Sequence, residues 1–195
     1  MKERVTIGFL LREGLSNYET ECIRRACRKF EDLYGELFTI TYKCSQIDLN
    51  EKYVIRRNGP NGNKVYVLGE PLLEDIIETS AYDVAFLFIN IPMIFINKQI
   101  LPISMFCYDS DTKKASAVVS VDILHSSLIE EYVKNILVNI EHEIGEIILG
   151  RHCKNKICPL HFHRTVSDMR FSSAKYCEKC YQEIVKKIGK KFNRR

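Results

Sequence analysis

The feature that most constrains this chain is a helix-periodic run that ends against a group of cysteines. Leu128, Ile129, Tyr132, Val133, Ile136, Leu137, Ile140, Ile144, Ile147 and Ile148 recur at helical spacing as far as Gly150. One broad apolar stripe must therefore be buried along the whole element. Ser127, followed three residues later by Glu130, has the form of a capping box and predicts the helix start there. Gly150 can adopt the left-handed conformation that closes a helix and turns the chain. Cys153 and Cys158 follow at once, and Cys177 and Cys180 form a later C-x-x-C pair. The fold has to bring the helix end and these thiols together.

Upstream of the helix, strand and helix patterns alternate. Val5 to Leu10 reads as a buried strand, and Asn17 to Tyr34 as a helix with Cys22, Ile23, Ala26, Cys27, Phe30 and Leu33 on one face, stopped by Gly35. Phe38 to Tyr42 is a second strand, Asn58 to Asn63 forces a turn, and Lys64 to Leu68 resumes an extended run. Pro71 to Thr79 predicts a short helix with proline in its first turn. Asp83 to Ile89 is nearly continuously apolar and suits the middle of a sheet. Ile103 to Tyr108 and Ala115 to Val121 are two further strands, joined as a hairpin by Asp109 to Lys114. This order predicts an α/β (α+β) fold, a mixed sheet with helices packed on it. Residues 1–150 form that part and end in the long helix. Residues 151–195 form a small subdomain with the four cysteines and a basic tail.

Eight cysteines in 195 residues would suggest a disulfide scaffold in a short secreted chain, but 46% hydrophobic residues suffice for an ordinary core. Met1 to Leu10 has no secretory pattern. Val84 to Ile96, the longest apolar stretch, is broken by Asn90 and Pro92 and falls short of the roughly 18 residues a membrane span requires. A cytoplasmic location with no membrane partner is expected, where cysteines bind metal or fill the core. Much of the formal charge of +4 sits at the end, in Lys186, Lys187, Lys190, Lys191, Arg194 and Arg195. Such a run is ordinarily a solvated helix face, so nucleic acid is not the expected partner. A nucleic-acid module built on the cysteines and this tail is the alternative.

His142 and Glu146 lie one helical turn apart and project to the same side, Glu143 adjoins His142, and the bend at Gly150 can return His152 to the same point. Three protein donors with an open fourth position describe a catalytic zinc site, with Glu143 placed to act on the attacking water. A Glu-x-x-Glu step is also what a solvated helix face presents. Cys153, Cys158, Cys177 and Cys180 have spacing suited to one closed tetrahedral zinc site. Cys22, Cys27, Cys44 and Cys107 lack such spacing and read as core or free thiols.

The segment HEIGEIILGRHCKNKICPL followed by CEKC, from His142 to Cys180, resembles the archaemetzincins, whose pattern is HExxHxxGxxHC, four residues, Cys, a Met two residues on, and a later CxxC. The resemblance is strongest over residues 115–181 and implies a metzincin-like mixed sheet with a long active-site helix, in a small cytoplasmic zinc-dependent peptidase acting on peptides or proteins. It implies two zinc ions per chain, His142 and His152 as ligands of the catalytic ion, Glu143 as general base, and Cys153, Cys158, Cys177 and Cys180 around the structural ion. Glu146 occupies the place of the family's second histidine and can ligate through a carboxylate oxygen. His163 is the other candidate for that missing ligand, if its loop folds back. A relative keeping only the structural zinc and binding peptides without cleaving them is the alternative. Leu149 stands at the family's glycine, with Gly150 one residue late, Leu160 stands at its methionine, and the gap to Cys177 is one residue short. Substrate in such enzymes pairs with an edge strand, for which Ala115 to Val121 is the candidate.

Overall fold

The computed structural model describes residues 4–47, 49, 51–59, 62–95, 102–163 and 165–192. Its centre is β5 (Val84–Ile89), whose six residues are all buried. β1 (Val5–Arg12) and β8 (Lys114–Ser120) flank it in parallel, β2 (Phe38–Ile47) continues in parallel beyond β1, and β7 (Ser104–Asp109) closes the far side antiparallel to β8. The two-residue period of the strands divides the core into two faces. Phe9, Phe86, Phe88, Ala117 and Val119 join one cluster, and Leu10, Ala85, Leu87, Ile89 and Val118 join the other. α1 (Asn17–Tyr34) covers the first face and α2 (Gly69–Thr79) the second. Gly8 permits this packing on β1, because a Cβ there would lie 2.0 Å from the ring of Tyr82.

A smaller sheet orders β3 (Val54–Gly59), β4 (Gly62–Leu68) and the short β6 (Met93–Ile94). The Asn-Gly-rich segment is the end of the β3–β4 hairpin, paired as far as Gly59 and Gly62, with residues 60 and 61 outside the described set. β3 was not expected from its sequence, VIRRNG, which lacks a hydrophobic alternation.

α4 (Ile129–Leu149) crosses the first face of the sheet after a short turn, α3 (Val121–Leu124). Its start corrects the expected capping box. Leu128 is the N-cap, with no side-chain bond, because Glu130 turns away to bond Arg25 and to reach Lys29 at 3.1 Å, both on α1. Ser126 instead bridges the entry, accepting the Leu128 N–H at 3.2 Å and donating to Glu131 at 2.7 Å. α1 carries the capping box, with Ser16 and Glu19 bonded reciprocally at 3.2 and 2.6 Å.

Beyond Gly150 the chain reverses, forms one turn, α5 (Val166–Met169), and ends in α6 (Glu178–Lys191), which packs against α4. Cys158, Leu160, Met169, Cys180, Ile184 and Ile188 belong to the same core cluster as α1 and α4. The end of α6 returns to β7, where the Lys191 ammonium lies 4.0 Å over the Tyr108 ring. Arg194 and Arg195 fall outside the described residues.

The edge assigned to substrate needs correction. Ala115 to Ser120 of that run lie in β8, an interior strand bonded on one side to β5 and on the other to β7, and Val121 opens α3. The hairpin places Ser104–Asp109 outermost, so β7 is the strand beside the helix with a free backbone edge among the described residues. Side-chain alternation marks a strand but says nothing about how many neighbours it has.

Gly150 closes α4 at φ 68°, and its N–H bonds Glu146 O at 2.7 Å. Gly150→Ala should lower unfolding free energy by about 1–2 kcal/mol through left-handed strain, measured by urea denaturation. No heavy atom within 4 Å would meet the added methyl, so a loss well beyond that range would contradict a purely conformational cause.

Candidate active site and four-cysteine centre

His142 and Glu146 ride on the last turns of α4, and the left-handed turn at Gly150 carries His152 back to them. The bend forms one residue later than the family pattern, with Leu149 buried in the core, and His152 still reaches the helix. Glu146 stands between the two rings. One of its oxygens lies 3.2 Å from His142 Nε2 and the other 3.0 Å from His152 Nε2. The donor atoms of His142, Glu146 and His152 all fall within 4.8 Å of one another. His163 is outside this group.

The hydrogen bonding of His142 indicates what belongs at this point. Its Nδ1 is 2.9 Å from the Pro159 carbonyl, which can only accept, so Nδ1 carries a proton. The neutral ring then presents a lone pair at Nε2, facing a carboxylate oxygen. Two acceptors at that distance repel unless a proton or a metal cation lies between them. Donors bound to zinc at tetrahedral corners sit about 3.4 Å apart, given bonds of roughly 2.0–2.1 Å, close to both separations. The donor set therefore fits such an ion. Burial works against the charge on His142, but the bond to Glu146 raises its pKa overall. Burial would likewise raise Glu146, yet the two imidazoles, His142 foremost, hold it below the usual carboxylate range.

Glu143 faces a different environment. It is 3% exposed, one oxygen accepts from Ser104 Oγ of β7, and Oε2 is buried without a hydrogen-bond partner among the described residues. Burial pushes its pKa up to about 7, opposed by the neighbouring His142 charge and the Ser104 bond. Ser104 Oγ also lies 3.1 Å from Asn139 Oδ1, one turn earlier on α4. Glu143, Glu146 and the two histidines open onto a cleft of about 590 Å³. Met105 and Phe106 of β7 line it on one side, and Phe162, His163 and Met169 from the segment after the helix also border it.

Immediately behind the cleft, the sulfurs of Cys153, Cys158, Cys177 and Cys180 converge within 4.8 Å. Cys153 Sγ and Cys177 Sγ are 3.8 Å apart. A disulfide needs about 2.05 Å, whereas thiolates around a tetrahedral zinc are about 3.8 Å apart. Cys177 is the N-cap of α6. Its thiol is lowered despite burial, through bonds led by the Cys180 N–H, whereas burial raises Cys158 to about 11. Backbone N–H groups of Asn155 and Cys177 point at Cys153 and Cys158, each at 3.4 Å. The other thiols divide as expected where described: Cys22 and Cys27 are buried and Cys107 is partly exposed. The side chain of Cys44 lies outside the described set.

A family model for Peptidase family M54 matches residues 19–186, most of the chain. The chain belongs to this peptidase family. Among curated relatives of this M54 chain, the archaemetzincin of Pyrococcus abyssi is 33% identical over 51 residues, 26% of this chain and 27% of that protein. That of Thermococcus kodakarensis is 30% identical over 86 residues, 39% of this chain and 44% of the other. The matches thus span less than half the length of these relatives. The crystal structure of archaemetzincin from Methanopyrus kandleri superposes with a TM-score of 0.74 at 16% identity, covering 95% of this chain and 96% of that one. The mixed α/β fold is shared throughout. Among the described residues, no helix of the M54 chain is long and apolar enough to cross a membrane.

Several residues around the site were not picked out from the sequence. Ser104 is one of many serines, and only the hairpin places it on Glu143. Asn139 and Glu141 were detectable as polar positions within the apolar helix, and both are buried. Glu141, next to His142, accepts from Tyr34 OH at 2.7 Å. Tyr34 OH in turn accepts the Tyr176 N–H at 3.3 Å, and Tyr176 OH donates to the Glu141 carbonyl. Leu160, at the family's methionine, packs beneath the helix, where a Cβ on Gly145 would lie 2.7 Å from Leu160 Cδ1. Tyr34→Phe removes the phenol that joins α1, α4 and the cysteine segment. It should cost about 1–3 kcal/mol by leaving buried groups unpaired, read from chemical denaturation. A change below about 0.5 kcal/mol would mean that water replaces the hydroxyl.

Proposed function

We propose that the chain is a zinc-dependent metallopeptidase in which His142, Glu146 and His152 hold the catalytic zinc and Glu143 is the general base. Cys153, Cys158, Cys177 and Cys180 hold a second, structural zinc. The observation that carries the proposal is the Glu146 carboxylate set between two imidazole nitrogens at 3.0 and 3.2 Å, an arrangement favourable only around a positive centre. The buried Glu143 lies one residue from His142 on the same cleft.

An extended peptide adds to the free edge of β7, its backbone bonds fixing the scissile group above α4. When bound, zinc polarises the scissile carbonyl and lowers the pKa of water from 15.7 toward about 7. Glu143 takes the proton of the attacking water and returns it to the leaving amine. Ser104 holds one Glu143 oxygen, leaving Oε2 for that exchange. His142 keeps its Nε2 directed inward because Pro159 holds its Nδ1 proton. Glu146 adds a negative charge that a histidine would not, which makes the zinc a weaker Lewis acid. The substrates are peptides or proteins, and the apolar cleft wall of Met105, Phe106 and Met169 favours apolar side chains next to the cut bond.

Protein purified without chelator should contain two zinc ions per chain by elemental analysis, and Glu146→Ala should retain one. A wild-type content of one would overturn the catalytic assignment in favour of a peptide-binding relative with the cysteine site alone. Glu143→Gln should keep both ions and lose about 10²–10⁴-fold in peptide hydrolysis; undiminished turnover would exclude Glu143 as the base. Glu146→His should raise kcat by removing the ligand charge, and a fall in zinc content in that variant would show that the site is shaped for a carboxylate.

A further inference from the structure

One polar side chain in the cleft has no role in the chemistry above. Both ring nitrogens of His163 are buried, and neither has a hydrogen-bond partner among the described residues. Native proteins seldom leave buried donors and acceptors unsatisfied, and exceptions concentrate where a ligand completes the bond. The ring borders the same cleft as His142, Glu143, Glu146 and His152. It lies 5.9 Å from the His142 ring and 5.8 Å from that of His161, centre to centre.

The position is fixed from the backbone up. Cys153 N–H bonds Leu160 O at 2.8 Å, and His161 N–H bonds Cys158 O at 2.9 Å. His161 Nδ1 donates to Cys153 O at 2.9 Å. The segment leading to His163 is thus tied to the cysteine centre, and its ring packs against two others. His163 also stands apart from the three converging metal donors, so an unmet metal bond does not account for its idle nitrogens.

The other buried side-chain donors around the cleft are engaged. Ser104 bonds Glu143, Asn139 bonds the Asn135 carbonyl and Met169 Sδ, and His142 and His152 face Glu146. Glu143 and Glu146 are acceptors. Among the described residues bordering the cleft, His163 is the histidine whose two ring nitrogens are both buried and both without a partner. Peptide hydrolysis builds negative charge on the scissile carbonyl oxygen, and a preorganised N–H aimed at that oxygen is worth most in a site closed to water. The need is sharper here, because Glu146 weakens the polarisation that the metal supplies.

We propose that His163 is a catalytic residue of this chain, donating its ring N–H to the scissile carbonyl oxygen of a bound peptide as negative charge gathers there. This rests on the peptidase reading. It makes the oxyanion's stabilisation joint between metal and imidazole, and it places the carbonyl oxygen on the His163 side of the cleft.

The test uses zinc-loaded full-length protein, His163→Ala and His163→Gln, the second keeping an N–H donor. Zinc affinity is read by chelator competition, affinity for a peptide phosphinate by calorimetry, kcat and KM on a peptide substrate, and stability by thermal melting. His163→Ala should keep its zinc affinity, lose roughly 10²–10³-fold in kcat with KM changed by less than about threefold, and bind the phosphinate at least about tenfold more weakly. His163→Gln should recover part of both losses. The alanine variant should stay folded and melt close to the wild-type temperature, because relief of the unpaired buried nitrogens offsets the ring packing that is lost. Unchanged phosphinate affinity and kcat in His163→Ala overturn the proposal, and so does a tenfold loss of zinc affinity, which would make His163 a ligand. A wild type that holds two zinc ions but neither cleaves peptides nor binds the phosphinate overturns the peptidase reading, and the role of His163 with it. That result is distinct from wild type and variant binding equally.

Discussion

The site depends on the chain reversal that follows α4. Gly150 takes a conformation open to few residues other than glycine, and the returning segment is then tied to the helix it has just left. The Pro159 carbonyl holds His142 Nδ1 at 2.9 Å, and Leu160 receives the Cys153 N–H at 2.8 Å. Pro159 follows Cys158, and His152 precedes Cys153. Each of the two imidazoles is therefore one residue, through a covalent or a hydrogen bond, from a sulfur of the four-cysteine centre. The two metal-type clusters share one rigid frame, and the geometry of the outer one inherits the order of the inner.

The helix beneath them is unusual in being buried nearly all round, with β7, β8, α1 and α6 packed against it. Such a helix would ordinarily be wholly apolar. Asn135, Asn139, Glu141 and Glu143 are buried polar exceptions. Glu141 is answered by Tyr34, and its backbone carbonyl by Tyr176. Ser104 answers Glu143 only in part, and His163 faces the same cleft with both nitrogens unanswered. Unsatisfied polar groups on a cleft are consistent with a surface that is completed by what it binds. The same buried location that raises the Glu143 carboxyl to about 7 makes every hydrogen bond to it stronger than it would be in water.

Helical and central-strand elements were legible because burial imposes a period on them. The expected Asn17 to Tyr34 helix matches α1, and the apolar Asp83 to Ile89 run is the middle strand, β5. Local rules failed where a distant partner competed. Glu130 prefers two cations on α1 to the cap that its spacing suggested, and β3 forms because β4 pairs with it, although its own residues lack the pattern. The edge was misassigned because a strand's own residues do not state how many neighbours it has, and only the order of strands distinguishes the paired β8 from the outer β7.

The sequence by itself determined the candidate donor set. Two histidines and a glutamate around a helix end, with four cysteines close behind, fix which atoms are available, since helical spacing and a glycine turn operate over a few residues. Tertiary structure decided what those atoms face. It put Ser104 on Glu143, Tyr34 on Glu141, the free edge on β7 and His163 beside the cleft without a partner. Each of these contacts joins segments whose separation in the chain carries no local energetic signal; they form because the sheet and the buried helix leave those groups nowhere else to go.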